Sequence, residues 1–325
     1  MNHISNARVN NNKYSSKFNV INFGIELFKN RQLYLMALPA MILLFLFNYM
    51  PLFGLILAFK NFKSAKGIFG SEWMNPIYSN FEFLVSSSQA IRAIRNTIFL
   101  NSLFIIVGTV ITVSFALLLN EIRSKRFKSL FQTMTFLPYF ISWIIVGVFV
   151  YNLFNSEYGA INGLLTSVGM QRIDWYNTPA VWPIILVLIN LWKGLGYGVV
   201  IYLAALAGID TSYYEAAQID GASRLQQLKY ISLPMLKPTI IILTLLSLGK
   251  IMNADFGMFF ATVGDASMLY PTTDVIDTFV YRGLRVTGDV GMASAAGFFQ
   301  SIISFILVIG SNLIVRKVDQ DSALF

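Results

Sequence analysis

Apolar and polar positions in this chain are segregated into long blocks instead of alternating residue by residue. A polar opening of 32 residues, rich in Asn, Ser and Lys, gives way to LYLMALPAMILLFLFNYMPLFGLILAF, which is uncharged from Leu33 through Phe59. Further apolar runs lie near 97–119, 130–154, 181–207, 239–260 and 292–315. Each reaches the roughly 20 residues that cross about 30 Å of hydrocarbon as a helix. Strands of a membrane barrel would alternate apolar and polar over about ten residues, so continuous runs predict an all-α, polytopic membrane bundle of about six spans. Pro39, Pro51 and Gly54 fit the first run because neighbouring helices can re-satisfy the backbone groups they free.

Composition agrees with the pattern. The chain is 56% hydrophobic and 12% charged, against about 25% charged in an ordinary soluble domain. With no cysteine, disulfides, thiolate zinc and iron–sulfur sites are excluded; the one histidine, His3, is remote from any cluster, and no metal or catalytic site is expected. The formal charge of +8 reads as loop orientation and attraction to anionic lipid. No basic and aromatic platform suggests nucleic acid.

Six spans place both termini on one side. The ends and the loops 120–129 and 208–238 carry fourteen basic residues, the opposite loops eight, and Lys193 and Lys250 fall inside spans. That bias puts both termini in the cytoplasm. The expected organisation is a cytoplasmic arm at 1–32 without a cleavable leader, a permease domain at 33–315, and a cytoplasmic tail at 316–325.

Between spans four and five lies DTSYYEAAQIDGASRLQQLKYISLPMLKP, Asp210 to Pro238, too polar to cross a bilayer. Ser212 and Glu215 have the spacing of a capping box that would start a short helix at Tyr213, and Gly221 would stop it. Small Ala216, Ala217 and Ala222 would let that helix lie deep in a partner's groove, with Glu215 and Asp220 as polar anchors. A second short helix should follow until Pro234 and Pro238 turn the chain into span five.

This segment resembles the EAA loop of ABC importer permeases, in which EAA is followed after three intervening residues by a Gly and about nine residues later by I-x-LP. Glu215, Ala216, Ala217, Gly221, Ile231, Leu233 and Pro234 occupy those places, and Asp220, Ala222 and Ser223 complete EAA-x-x-DGAS. Leu228 departs from the aromatic usual in the intervening helix. The resemblance implies a type I ABC importer permease fold and a coupling helix at residues 212–224 docked on a separate ATPase. The chain contains no G-x-x-x-x-G-K-[ST], so it should bind no cofactor. ATP and Mg would be held by two partner ATPase subunits.

RAIRNTIFLNSL (92–103), LPYFISWIIVG (137–147), NLWKGLGYG (190–198) and YPTTDVIDT (270–278) are most similar to carbohydrate permeases of the maltose-importer type. They are closest to the oligosaccharide branch that includes uronate, alginate-type, importers. That resemblance implies a second homologous permease as heterodimer partner and a solute-binding protein, periplasmic or lipid-tethered, in a bacterial inner membrane. It assigns sugar contacts to Asn190, Gly194 and Tyr197, and places Lys250 and Asn253 near a second pair of sugar-facing positions. Asn190, Lys193, Gly194 and Tyr197 share one helix face at i, i+3, i+4 and i+7.

The alternative for Gly194, Gly196 and Gly198 is close helix packing. For the lysines it is snorkelling or a Lys250–Asp255 ion pair. If the lysines line the pathway, they favour an anionic glycan such as an oligouronate. Rival functions are an importer for amino acids or phosphate, a membrane glycosyltransferase, and an ion-coupled secondary transporter. The last would show paired broken helices in repeated halves.

Overall fold

The structure, a computed structural model, describes residues 29–318 and 323. Most of the expected terminal arm and tail therefore lies outside the described residues. The chain divides into two units, residues 1–55 and 56–325.

Helix α1 (Arg31–Leu44) passes through a π turn at Phe45–Tyr49 into a 3-10 stretch at Met50–Phe59, making one apolar run of 29 residues. The change of helix type brackets Pro51, where the missing N–H is absorbed by altered hydrogen-bond spacing. The all-α expectation holds, with one small addition after this run. A two-stranded antiparallel ribbon pairs β1 (Lys60–Asn61) with β2 (Glu72–Trp73). The buried Lys60 ammonium donates to the Ile68 and Phe69 carbonyls, and Asn80 Nδ2 donates to those of Leu57, Ala58 and Lys60.

Helix α2 (Ser88–Glu121) starts nine residues ahead of the apolar run, because the Ser87 hydroxyl caps it by accepting from the Ala90 amide. The third span is broken instead of continuous. Helix α3 (Lys125–Phe136) tightens into a 3-10 turn at Leu137–Phe140, and α4 (Trp143–Phe154) leaves at 99°. Pro138 removes a donor at the elbow, and Ser142 Oγ accepts from the Ile145 amide to begin α4. Helix α5 (Trp182–Ala207) forms as expected.

The next spans differ more. Helix α6 (Thr211–Ile219) is followed by α7 (Arg224–Gln227), a π turn at Leu228–Ser232 and α8 (Leu233–Leu248). The last three form one 25-residue run, Arg224–Leu248. Pro234 and Pro238 do not turn the chain. Pro234 lies in the first turn of α8 and Pro238 inside it, and the π widening just ahead accommodates the ring and the lost bond. Span five thus covers 224–248 instead of 239–260. It ends in an unwound stretch before α9 (Phe256–Thr262), which Asp255 caps by accepting from the Met258 amide. Helix α10 (Ile276–Thr287) stops at Gly288, φ 67°, and α11 (Val290–Val318) is the final span.

Helices α2 and α5 pack along one another and bury two separate clusters. One joins Leu100 of α2, Val146 and Val150 of α4, Trp182, Ile185 and Leu186 of α5, and Met258 and Phe259 of α9. The other, nearer α6, joins Val113, Ala116 and Leu117 to Val199, Tyr202, Leu203 and Leu236. Only 11% to 28% of the residues in the five span windows are buried, so most of their apolar side chains require a non-aqueous surrounding.

Candidate functional site

The four sequence blocks singled out above meet in pairs. Asn96 Nδ2 donates to the carbonyls of Tyr270, Pro271 and Asp274, and Thr97 Oγ1 accepts from the Ile276 amide. These bonds fasten RAIRNTIFLNSL to YPTTDVIDT. Arg282 then holds buried Asp274 with two bonds of 2.9 and 2.6 Å and lies 4.0 Å over the Tyr270 ring. In the other pair, Tyr197 stacks on Tyr139 at 4.9 Å, and Gly196 lets α5 approach the end of α3 so closely that a Cβ would sit 2.3 Å from the Thr135 carbonyl oxygen.

Lys193 completes that second junction. Its ammonium donates to the carbonyls of Pro138, Tyr139 and Ile141 at 3.3, 2.8 and 2.6 Å, and it lies over the rings of Tyr139 and Trp143. The elbow between α3 and α4 exposes those carbonyls, and a lysine on the adjacent helix satisfies them.

Helices α2, α5 and α8 and the unwound stretch border an open cavity of about 570 Å³. Asn190, Tyr197, Lys250 and Asn253 line it. Lys193 and Gly194 do not. Gly194 has open space around its missing Cβ, whereas Gly198 is set against Thr112 by close packing, at 2.7 Å from where a Cβ would be. The pathway set nominated from sequence is therefore divided by the fold, and packing accounts for Gly196 and Gly198.

The unwound stretch owes its shape to distant residues. Asn101 Nδ2 donates to the Ile251 and Asn253 carbonyls at 2.7 and 3.3 Å, and Gln300 Nε2 donates to the Met252 carbonyl at 2.7 Å. Asp277 Oδ2 accepts from the Ala254 amide at 2.9 Å and from Gln300 at 3.2 Å. Burial pushes the Asp277 carboxyl above its ordinary range, opposed by those same hydrogen bonds. Asp255 is also committed: Oδ2 accepts from Trp143 Nε1 at 2.7 Å and Oδ1 from the Met258 amide at 3.1 Å. No Lys250–Asp255 ion pair forms among the described residues, because Asp255 turns to the elbow. Asp255 also lines the cavity, as do Asn101 and Thr109, for which no role was read from the sequence. Polar residues amid apolar runs are the signal that could have marked them.

The segment after α5 is a second candidate site. Its cap differs from the expected one: Asp210 Oδ1 accepts from the Ser212 amide at 2.9 Å, so α6 starts at Thr211 without a Ser212–Glu215 box. An aspartate just ahead offers the charged acceptor to the orphan amides, and that bond holds its carboxyl below the ordinary value. The box appears one helix later, between Ser223 and Gln226. Gly221 stops α6 as expected, at φ 80°, with Ala222 N–H donating to the Ala217 carbonyl and Gly221 N–H to that of Gln218.

No residue of α6 is buried. Ser212, Glu215, Ala216, Asp220, Gly221 and Ser223 are exposed, while Ala217 and Ala222 are half-buried. Ile219 is 87% exposed and Leu225 74%, more apolar surface than a solvated turn needs. The Tyr214 hydroxyl meets Ser232 Oγ at 2.9 Å, and Gln227 Nε2 donates to the Ala222 carbonyl at 3.1 Å. A capped, exposed helix is thus tied to the run that ends beside the cavity.

The family described as binding-protein-dependent transport system inner membrane component matches residues 105–320. Protein LplB of Bacillus subtilis (strain 168) is 32% identical over 301 residues, 93% of each chain. The polygalacturonan/rhamnogalacturonan transport system permease protein YteP of the same organism is 31% identical over 297 residues, 91% of each chain. A chain in the crystal structure of a bacterial ABC transporter involved in the import of the acidic polysaccharide alginate is similar at a TM-score of 0.82 and 33% identity, over 92% of this chain and 99% of that one.

Proposed function

This chain belongs to the binding-protein-dependent transport system inner membrane components, and from that premise we propose that it is the permease subunit of an ATP-driven importer that passes an oligosaccharide through the α2–α5–α8 cavity. It is a multi-pass membrane transport component, not an enzyme. In the proposed assembly both termini and α6 face the cytoplasm. Two ATPase subunits, which bind ATP and Mg, receive α6, and a homologous permease completes the pathway. A solute-binding protein delivers the sugar from the far side, as one occurs with the similar alginate transporter in its complex with an alginate pentasaccharide-bound periplasmic protein.

The observation that carries this reading is α6 itself. It is capped at both ends by its own neighbours, buries none of its residues, and is joined by Tyr214–Ser232 to the run Arg224–Leu248. A force on α6 is therefore delivered along α8 to Lys250 and Asn253 at the cavity. Closure of the ATPase pair around ATP would move α6 and bias the bundle between inward- and outward-facing states, through contacts that differ between the two. The cavity supplies what a sugar requires: amides for hydroxyls from Asn190 and Asn253, and the Tyr197 ring for an apolar sugar face.

The chain has no cysteine, so Ala216→Cys provides a single thiol on the exposed face of α6. In membranes holding the complete importer, a thiol crosslinker should join Ala216→Cys to the ATPase subunit, more strongly with ATP bound. Absence of that adduct, with the same thiol freely labelled by a small maleimide, would reject the coupling role.

A further inference from the structure

The two intramembrane lysines are alike in sequence and opposite in circumstance. Lys193 has three N–H donors and three carbonyl acceptors, at 3.3, 2.8 and 2.6 Å, so no donor remains for a ligand. Trp143 stands between Lys193 and the cavity carboxylate: its ring lies under the ammonium at 5.1 Å, and its Nε1 donates to Asp255 at 2.7 Å. Asp255 is thereby held by Trp143 beside Lys193 and makes no ion pair with Lys250, although both line the cavity.

Lys250 lies in the unwound stretch, is exposed and lines the cavity. Its ammonium has no hydrogen bond or ion pair among the described residues. The backbone around it is pinned by Asn101 and Gln300, so the lysine projects from a fixed base. Phe104, Ile105, Ile201 and Leu246 supply apolar wall. An uncompensated ammonium at such a place is costly unless an anion arrives to meet it, and apolar walls strengthen the pair that forms. A neutral sugar would be served by the amides and the tyrosine alone.

We infer that Lys250 is the residue that selects substrate charge, pairing with the carboxylate of an acidic oligosaccharide in the cavity, and that Lys193 is a structural bracket for the elbow. This rests on the cavity being the sugar pathway. The test uses the complete importer, with ATPase and solute-binding subunits, in lipid vesicles. Uptake is measured for a uronate oligosaccharide and for its carboxyl-reduced, neutral counterpart.

The binding protein's own preference is the same for every variant and cancels when acid-to-neutral ratios are compared. Lys250→Gln should lower that ratio on the order of fivefold, the size a partly screened ion pair delivers. Lys250→Arg should keep it. Lys193→Gln should depress both sugars alike and leave the ratio unchanged. An unchanged ratio in Lys250→Gln overturns the assignment, and so does failure of both Lys250→Gln and Lys250→Met to assemble, since a lysine needed for folding is a bonded one. Wild-type vesicles that accumulate neither sugar would reject the oligosaccharide reading itself, whereas wild type carrying both with an unaltered Lys250→Gln ratio would reject the charge assignment alone.

Discussion

At Gly221 the chain ends one helix and begins another using only its neighbours. Asp210, Ala217, Gln218, Ser223 and Gln226 supply every cap within a few residues, and nothing in α6 is buried. Between α8 and α9 the chain also leaves one helix and starts another. There the freed carbonyls and amide are taken up by Asn101, Gln300 and Asp277, positioned 150, 48 and 23 residues away in sequence. A locally capped helix holds its shape wherever it is carried, which suits an element that docks on a partner and moves. A stretch held by other helices keeps its shape only while those helices keep their arrangement. It therefore registers any shift of α2, α10 or α11, which suits a wall that must differ between two states.

The comparison breaks most forcefully at the unwound stretch. Asn101→Ala combined with Asp277→Ala should orphan the carbonyls of Ile251 and Asn253 and the Ala254 amide, at about 1–3 kcal/mol for each group left without water or a partner. A fall of several degrees in the melting temperature of the detergent-solubilised importer checks this. Asp277→Asn sharpens it, because the amide keeps an acceptor oxygen without the buried charge. Burial raises the Asp277 pKa, so its contribution is whole below the ordinary value of 3.8 and is lost as pH rises through the folded value. Asp277→Asn should accordingly flatten the upper part of the stability–pH profile.

A middling effect is expected at Gly221, where φ is 80°. Gly221→Ala places a Cβ in the left-handed region at about 1–2 kcal/mol, although nothing lies within 4 Å of that Cβ. The strain is local. Transport-coupled ATPase activity should drop while the melting temperature of the permease stays within a degree or two.

The smallest effect belongs to Asp210→Ala, which removes an exposed cap. The wild-type cap should act above the ordinary aspartate value of 3.8 and fade as pH falls through the lowered folded value. Hydrogen exchange of the Ser212 amide should quicken in Asp210→Ala at neutral pH, with no change at the amides of Gln300 or Ala254.

The same contrast separates what could be read in advance. Block hydrophobicity located the spans apart from the fifth, which begins 15 residues earlier than its apolar run, and the EAA-x-x-DGAS spacing located α6, because both are short-range patterns. The nearest errors were local as well. Asp210 won the cap over Ser212, and the π turn at Leu228–Ser232 carried the helix past Pro234 and Pro238. Single-residue propensities do not rank two adjacent cap candidates or foresee a widened turn.

By itself, the sequence settled the solvent in which this chain folds, the number of apolar runs, and the place of the short exposed helix α6. Hydrophobic length and capping chemistry act over one or two helical turns. The tertiary structure alone decided that span three bends by 99°, that span five unwinds beside a cavity, and that Lys193 is consumed at the elbow while Lys250 stays open to the cavity. Those outcomes depend on which distant carbonyl comes within about 3 Å of which side chain. Separation along the chain carries no record of that distance.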